Sequence, residues 1–335
     1  DKLCNIPLVT YNMTIDDVEA IDTELIFISE EPYSTIGLEK ISNYQILEYR
    51  TDNSDWENMT TKTNIILNNV GDKVYMRGVL SGNNSSSNYT QFKMTGKISS
   101  SGNCSAIWNC ENLNAPLKEM CGYRLFYDCD SLIKAPKLSS KTLAYGCYKQ
   151  MFYSCDNLIT APKLSAQILY TNCYEEMFRY CNSLTITPDL PATTLAYGCY
   201  RYMFWGCYNL TVANTLPATK LENGCYYGMF YNCSNLTTAP DLPATELASD
   251  CYGEMFRYCY DLESLDVSGW NTENVTDMYE MFYDCYALTT LDVSNWNVGK
   301  VENMDGMFSY CRSLTSLDAS GWNTENVSDM NRMFN

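Results

Sequence analysis

The chain has 335 residues, of which 46% are hydrophobic, so it carries enough apolar material to bury a sizeable core. Its 40 acidic and 22 basic residues give a net charge of −18, which argues against nucleic acid or an anionic membrane surface as a partner. There is no His, which removes the commonest general base and metal ligand, and no apolar run is long enough to span a membrane.

The N-terminal region, residues 1–102, is predicted to be a small all-β domain resembling a β-sandwich. Segments rich in β-branched and aromatic residues are typical of strands, and turn-forming residues at 52–55 and 82–87 separate some of them. The predicted strands cover residues 24–28, 44–49, 63–67, 72–80 and 89–94. Residues 103–120 are predicted to form a capping turn that shields the first repeat from water.

The rest of the chain, residues 121–335, repeats every 26 residues with no insertion or deletion. A Met-Phe pair marks each repeat from Met151 and Phe152 to Met333 and Phe334. Two sets of Cys share this phase, and a Leu follows three residues after each member of the second set. The second set consists of Cys129, Cys155, Cys181, Cys207, Cys233, Cys259, Cys285 and Cys311.

Each repeat is predicted to be one coil of a stack, built from a short helix and a short strand. In residues 251–259 the apolar residues Tyr252, Met255, Phe256 and Cys259 lie at the i, i+3, i+4 and i+7 positions of a helix face. One coil cannot bury this face alone, but a stack of coils can. We therefore predict a right-handed α/β repeat solenoid over residues 121–335. It stops inside its last coil, which leads us to expect a fragment of a longer protein.

Two types of coil share the 26-residue phase. Earlier coils contain Leu-Pro-Ala-Thr motifs, whereas later coils contain Leu-Asp-Val-Ser, as at residues 265–268. Asp and Glu number 11 against 10 Lys and Arg in residues 121–260, but 13 against 3 in residues 261–335. The negative charge is therefore concentrated in the later coils.

These motifs resemble the BspA-like leucine-rich repeat surface proteins. The resemblance rests on the Cys-Tyr-x-x-Met-Phe-x-x-Cys-x-x-Leu pattern and on the Leu-Asp-Val-Ser-Gly-Trp-Asn-Thr-Glu-Asn-Val sequence at residues 265–275. It covers residues 121–335 and implies a secreted or surface-displayed leucine-rich repeat solenoid that binds a partner. It supplies no catalytic residues.

The regular Cys are predicted to be buried thiols. The first Cys of the coil is replaced by Asp277, Asn303 and Asp329 in the last coils, yet Cys285 and Cys311 remain. A strict disulfide within each coil, such as Cys225 with Cys233, would lose both partners together, so we favour a structural ladder of free thiols formed by the second set. Bonds between stacked coils stay open as an alternative, because neighbouring coils are close enough.

A row of aromatic and Arg residues directly follows the Phe of successive coils and is predicted to be partly exposed. This composition is typical of a protein-binding or sugar-stacking surface. The alternative is that the rings only cover the seams between coils. The candidate binding residues are Tyr127, Tyr153, Arg179, Trp205, Tyr231, Arg257 and Tyr283.

Three acidic residues, Asp266, Asp292 and Asp318, occupy one coil position and are predicted to form a ladder. Like charges that stack repel one another unless each is bonded locally or a cation lies between them. Acceptance of hydrogen bonds from the following turn is the favoured explanation, with calcium as the weaker alternative. Beyond this calcium candidate we expect no metal site, and we expect no cofactor.

We expect a protein without catalytic activity. The absence of His excludes Ser-His-Asp and Cys-His arrangements within this chain. The favoured function is adhesion, in which a protein displayed on a cell or virion surface binds a protein or glycan of a host or neighbouring cell. The alternative is a structural subunit that self-assembles into an extracellular filament or phage fibre. A third possibility is a glycan-binding appendage of a larger enzyme.

Overall fold

The computed structural model describes residues 23–43, 45–52, 54–80, 84–110, 112 and 116–335. Parts of the predicted N-terminal domain and of its turns, at residues 1–22, 44, 53 and 81–83, lie outside the described residues, as do residues 111 and 113–115 of the predicted capping turn. The strands are β1 Leu25–Ser29, β2 Ser34–Lys40, β3 Ile46–Thr51, β4 Glu57–Asn58, β5 Asn64–Leu67, β6 Lys73–Val79, β7 Gln91–Thr95, β8 Ile98–Gly102 and β9 Leu132–Lys134. One short helix, α1, spans Ser105–Trp108.

The described part of the N-terminal region is all-β and forms two sheets. One has the strand order β4-β3-β6-β1-β8-β9 and the other has the order β5-β2-β7. Side chains alternate between buried and half-buried along β1 and β6, as expected for strands with one face on a core. Phe27 of β1 contacts Phe92 of β7 edge to face at 5.2 Å, so the two sheets pack on a shared core.

The first coil of the repeat packs directly on the N-terminal sheets. Strand β9 of this coil pairs in parallel with β8, and the Phe92 N–H donates to the Leu125 carbonyl at 2.9 Å. The Phe126 ring stacks on Phe92 at 5.2 Å. Backbone pairing and the apolar core therefore continue from the N-terminal sheets into the repeats.

The prediction of a helix in each coil is wrong. Residues 249–258 form a run of turns, in which Asp250, Glu254 and Tyr258, each four residues apart, have φ of 54°, 51° and 62°. In the preceding coil, the Met229 N–H donates to the carbonyl three residues earlier, whereas the Phe230 N–H donates to Met255 in the next coil. An α-helix would use its interior N–H groups within itself. Here alternate N–H groups are free to join the coils, which makes the repeat almost helix-free.

Two columns of stacked aromatic rings run through the coils. The first contains ten Phe rings with neighbouring centroids 5.2–6.1 Å apart, starting at Phe92 and ending at Phe334. The second starts with Trp108 on Tyr148, continues through four further Tyr to Tyr252, and passes to Trp270 at 4.4 Å. Trp296 and Trp322 then complete it. The buried rings make each coil part of one continuous core.

Candidate functional site: an Arg and aromatic face of the repeat

The seven candidate binding residues occupy equivalent positions in seven successive coils, and all seven side chains are half-buried. Tyr127 stacks on Tyr153 with centroids 4.7 Å apart, and Trp205 lies 4.6 Å from Tyr231. Between these pairs, the Arg179 guanidinium lies 3.3 Å from the centre of the Trp205 ring and 5.4 Å from Tyr153. We call this row and the side chains packed on it the Arg-aromatic face.

All six Arg of residues 121–335 belong to this face: Arg124, Arg179, Arg201, Arg257, Arg312 and Arg332. Five of them lie over Tyr or Trp rings within 6 Å of the ring centre. The sixth, Arg332, forms an ion pair with Asp305 at 2.9 Å. The face therefore concentrates the planar cations of a strongly acidic protein along one side of its coils.

Two of these Arg have nearly the same surroundings three coils apart. Arg179 donates to Glu176 at 2.7 Å and to the Tyr180 hydroxyl at 3.2 Å. Arg257 donates to Glu254 at 2.9 Å and to the Tyr258 hydroxyl at 3.1 Å. Tyr180 and Tyr258 are members of the face that the sequence analysis missed. The Arg-Tyr pairs at 179–180 and 257–258 were the signal that could have identified them.

Glycines on the face leave room for rings of the preceding coil. At Gly228, which has φ +57°, an added Cβ would lie 2.2 Å from Cε1 of Tyr202. The Tyr202 ring crosses this glycine, and its hydroxyl donates to Glu254, two coils away, at 3.2 Å. Gly206 and Gly253 leave similar room for the rings of Tyr180 and Tyr227. Tyr202 and Tyr227 were also missed, because this packing links residues in different coils.

Two carboxylates form ion pairs with Arg257, which itself lies over the aromatic rings of the face. Glu254 and Glu280 both pair with Arg257, and only 8% and 2% of their surfaces are exposed. Burial raises the pKa of Glu280, although the charge of Arg257 opposes this shift. Burial also raises the pKa of the neighbouring Tyr231 to about 12, so this phenol stays neutral. By contrast, Arg124 and Arg201 have no carboxylate within 4 Å among the described residues. Their guanidinium groups pack instead on the rings of Tyr127 and Tyr227.

The eight Cys of the predicted structural ladder all have free thiols. Seven are buried and Cys311 is half-buried. Each thiol donates to the carbonyl of the Phe 29 residues earlier, or of Phe92 in the case of Cys129, at 3.0–3.3 Å. Burial raises the pKa of Cys207 to about 12, so the thiol keeps the proton that it donates. Cys110, outside the ladder, is disulfide-bonded.

The Asp ladder forms side-chain caps of turns. Asp266 accepts hydrogen bonds from the backbone N–H of Ser268 at 3.0 Å and from its hydroxyl at 2.7 Å. Asp292 accepts the same two bonds from Ser294, and Asp318 accepts the backbone N–H of Ser320 at 3.0 Å. These bonds lower the pKa of all three carboxyls, the hydroxyl having the larger effect. Within the described residues, no group of three or more Asp, Glu, Cys or His side chains is arranged to hold a metal ion.

Comparisons with known proteins give two matches. Six copies of the BspA type leucine rich repeat region match over residues 86–211 and 148–278. A family described as Mycoplasma protein of unknown function, DUF285, matches residues 226–335. No curated protein and no solved structure matches the chain. In the part of the chain that the structure describes, no helix is long and apolar enough to cross a membrane. The first match covers more than half of the residues, and the chain belongs to the BspA-type leucine-rich repeat family.

Proposed function

We propose that this protein is a surface-displayed, non-catalytic binding protein that recognises a partner protein through its Arg-aromatic face. The observation that carries the proposal is the gathering of five of the six Arg of the repeat over Tyr and Trp rings, beside a row of half-buried aromatic side chains. Tyr, Trp and Arg are the residues that contribute most often to the energetic centres of protein interfaces. Membership of the BspA-type family, whose proteins are typically surface-associated, supports display outside the cell.

The packing of the rings favours a protein over a glycan. Sugars stack on open aromatic faces, but here the ring faces are in contact with other rings or with guanidinium groups. Tyr127 covers Tyr153, and Arg257 lies 5.2 Å from the Tyr231 centroid and 4.9 Å from the Tyr283 centroid. Rings held in this way lose little conformational freedom on binding. Arg124 and Arg201 supply positive charge for acidic groups of the partner.

The disulfide at Cys110 supports an oxidising location, because such bonds persist mainly outside the cytosol. The fourteen other described cysteines that lie in buried positions are protected by the core rather than by pairing. Free thiols inside a stack are shielded from exchange, so they are compatible with the same location.

The test is a binding screen of the full chain against arrays of surface proteins and of glycans. A triple variant, Tyr153→Ala, Trp205→Ala and Tyr231→Ala, is expected to lose at least tenfold in affinity for the protein that is captured. The matched control replaces Tyr145, Tyr170 and Tyr197 by Ala, since these exposed tyrosines lie outside the row. Equal binding by the two triple variants would refute the role of the face, and capture of glycans alone would refute the choice of partner.

Self-assembly is tested separately by measuring the size of the protein at several concentrations. A monomer at all concentrations is the outcome expected for a binding protein. Assembly that grows with concentration would favour the filament interpretation.

A further inference from the structure

The stack has a seam where the two coil types meet. Residues 237–243 of the last neutral coil and residues 264–266 of the first acidic coil line a groove of about 420 Å³. None of the seven residues of the candidate row lines this groove. At another position the same two coils are in direct contact, since the Cys259 thiol donates to the Phe230 carbonyl at 3.2 Å. The two coils are therefore hydrogen-bonded at residues 230 and 259 but separated by the groove at residues 237–243 and 264–266.

The backbone hydrogen bonds that join the preceding pair of coils are missing at this seam. One coil earlier, the N–H groups of Thr237 and Thr238 donate to the Thr211 carbonyl, and the Ala213 N–H donates to Thr238. Among the described residues, no backbone hydrogen bond joins residues 237–248 to residues 263–274. The Thr237 carbonyl and the N–H groups of Ala239 and Ser264 therefore lack the partners that the Thr211 carbonyl and the N–H groups of Ala213 and Thr238 have one coil earlier.

The indole of Trp270 shows the same mismatch. Trp296 and Trp322 each donate their indole N–H at 3.2 Å to the carbonyl 29 residues earlier. The Trp270 N–H is buried and has no hydrogen-bond partner. The Trp joins the aromatic column by stacking on Tyr252, but the backbone of the neutral coil does not offer the acceptor that acidic coils offer one another.

We propose that this seam binds an extended, basic polypeptide segment. Free backbone donors and acceptors on both walls suit a chain in extended conformation, which pairs through its own main chain as in strand addition. The negative charge near the groove favours a basic partner. Residues 235–275 contain eight Asp or Glu and one Arg, Arg257, whose charge is already paired with Glu254 and Glu280. Asp241 and Asp266 themselves line the groove. A segment carrying Lys or Arg at alternate positions matches this combination.

The probe is a fluorescent octapeptide of alternating Lys and Val, and binding to the full chain is followed by fluorescence anisotropy. Saturable binding is expected, with at least a tenfold loss for alternating Glu and Val. A Lys-Val peptide that is N-methylated at alternate residues keeps the charge but loses main-chain donors, and it is also expected to bind at least tenfold more weakly. Equal binding of the methylated peptide would overturn the proposed main-chain pairing.

Two variants locate the site. Thr238→Trp fills the groove, whereas Val212→Trp places the same side chain at the same coil position one coil earlier, outside the groove lining and where the backbone bonds between coils are present. The first variant is expected to abolish binding of the Lys-Val peptide, and the second to leave it unchanged. Equal binding by both variants would show general attraction to an acidic protein and would overturn the proposal, as would a lack of saturable binding. The triple variant of Tyr153, Trp205 and Tyr231 should bind the Lys-Val peptide like the wild-type chain. The proposal for the groove and the proposal for the Arg-aromatic face can therefore be refuted separately.

Discussion

Gly228 offers a test of the packing on which the Arg-aromatic face depends. Replacement by Ala introduces two costs. The first is the backbone cost of holding Ala at φ +57°, about 1–2 kcal/mol. The second arises because the new Cβ would lie 2.2 Å from the Tyr202 ring and must displace it. Loss of the ring contact and of the hydrogen bond from Tyr202 to Glu254 is expected to cost a further ~1–2 kcal/mol.

Gly224 is a matched control in the same coil. It has φ +58°, and an added Cβ would have no atom within 4 Å. Gly224→Ala should therefore show only the backbone cost. The two variants are compared by urea denaturation followed by circular dichroism, with hydrogen exchange of the neighbouring coils as a local readout, since repeat proteins do not always unfold in one step.

A double-mutant cycle isolates the ring. In a Tyr202→Ala background the obstacle is gone, so Gly228→Ala should cost no more than Gly224→Ala. If Gly228→Ala and Gly224→Ala destabilise the wild-type chain equally, Tyr202 does not depend on the glycine and the packing argument is wrong.

Three further predictions concern the columns and ladders. Phe204→Ala removes a fully buried ring from the Phe column and should lower the free energy of unfolding by about 3–5 kcal/mol, more than Tyr208→Ala at an exposed position, when both are measured by urea denaturation. Burial raises the pKa of the column residues Tyr148, Tyr174, Tyr200, Tyr226 and Tyr252, so their stabilising effect is complete below the unfolded value of about 10 and is lost as pH rises further. Their ionisation, followed by absorbance at 295 nm, should coincide with loss of circular dichroism, and ionisation well before unfolding would contradict their burial. The lowered pKa of Asp266, Asp292 and Asp318 stabilises the fold above the unfolded value of about 3.9, and this contribution disappears as pH falls through the folded pKa. Replacing all three by Asn should make stability less dependent on pH in that acidic range, and an unchanged acid transition would refute the assignment.

The repeat period and the buried positions could be predicted from the sequence, but the local conformation could not. Tyr252, Met255, Phe256 and Cys259 are all buried, as the spacing predicted. Spacings of three, four and seven residues fit a helix of 3.6 residues per turn, yet over nine residues they fit a four-residue period equally well. The deciding interaction is the hydrogen bond between coils, as from Phe230 to Met255, which one coil alone does not reveal.

The candidate row could be predicted because its residues share one position in the coil. The other residues of the face occupy different positions, so the comparison of equivalent positions did not identify them. Tyr202 reaches Glu254 across 52 residues, and Arg257 reaches Glu280 in the following coil. Such contacts join different positions of different coils, so a search for conserved phase within the repeat does not detect them. The Trp residues of the later coils were missed in the same way. Trp270 continues the aromatic column that contains Tyr252, but it occupies a different position in the coil.

The loss of one Cys set but not the other has a physical explanation in the bonds that each set makes. Every member of the second set donates its thiol proton to a Phe-column carbonyl, so Cys285 and Cys311 keep a function in the acidic coils. The first set makes no such regular bond, and in the last coils Asx residues take its place. Asp277 and Asn303 accept the backbone N–H two residues later, at 2.7 and 3.0 Å, which caps the turn. The acidic coils thus retain the core bonds of the neutral coils and replace buried thiols by turn caps. This accounts for a change of charge within one continuous core.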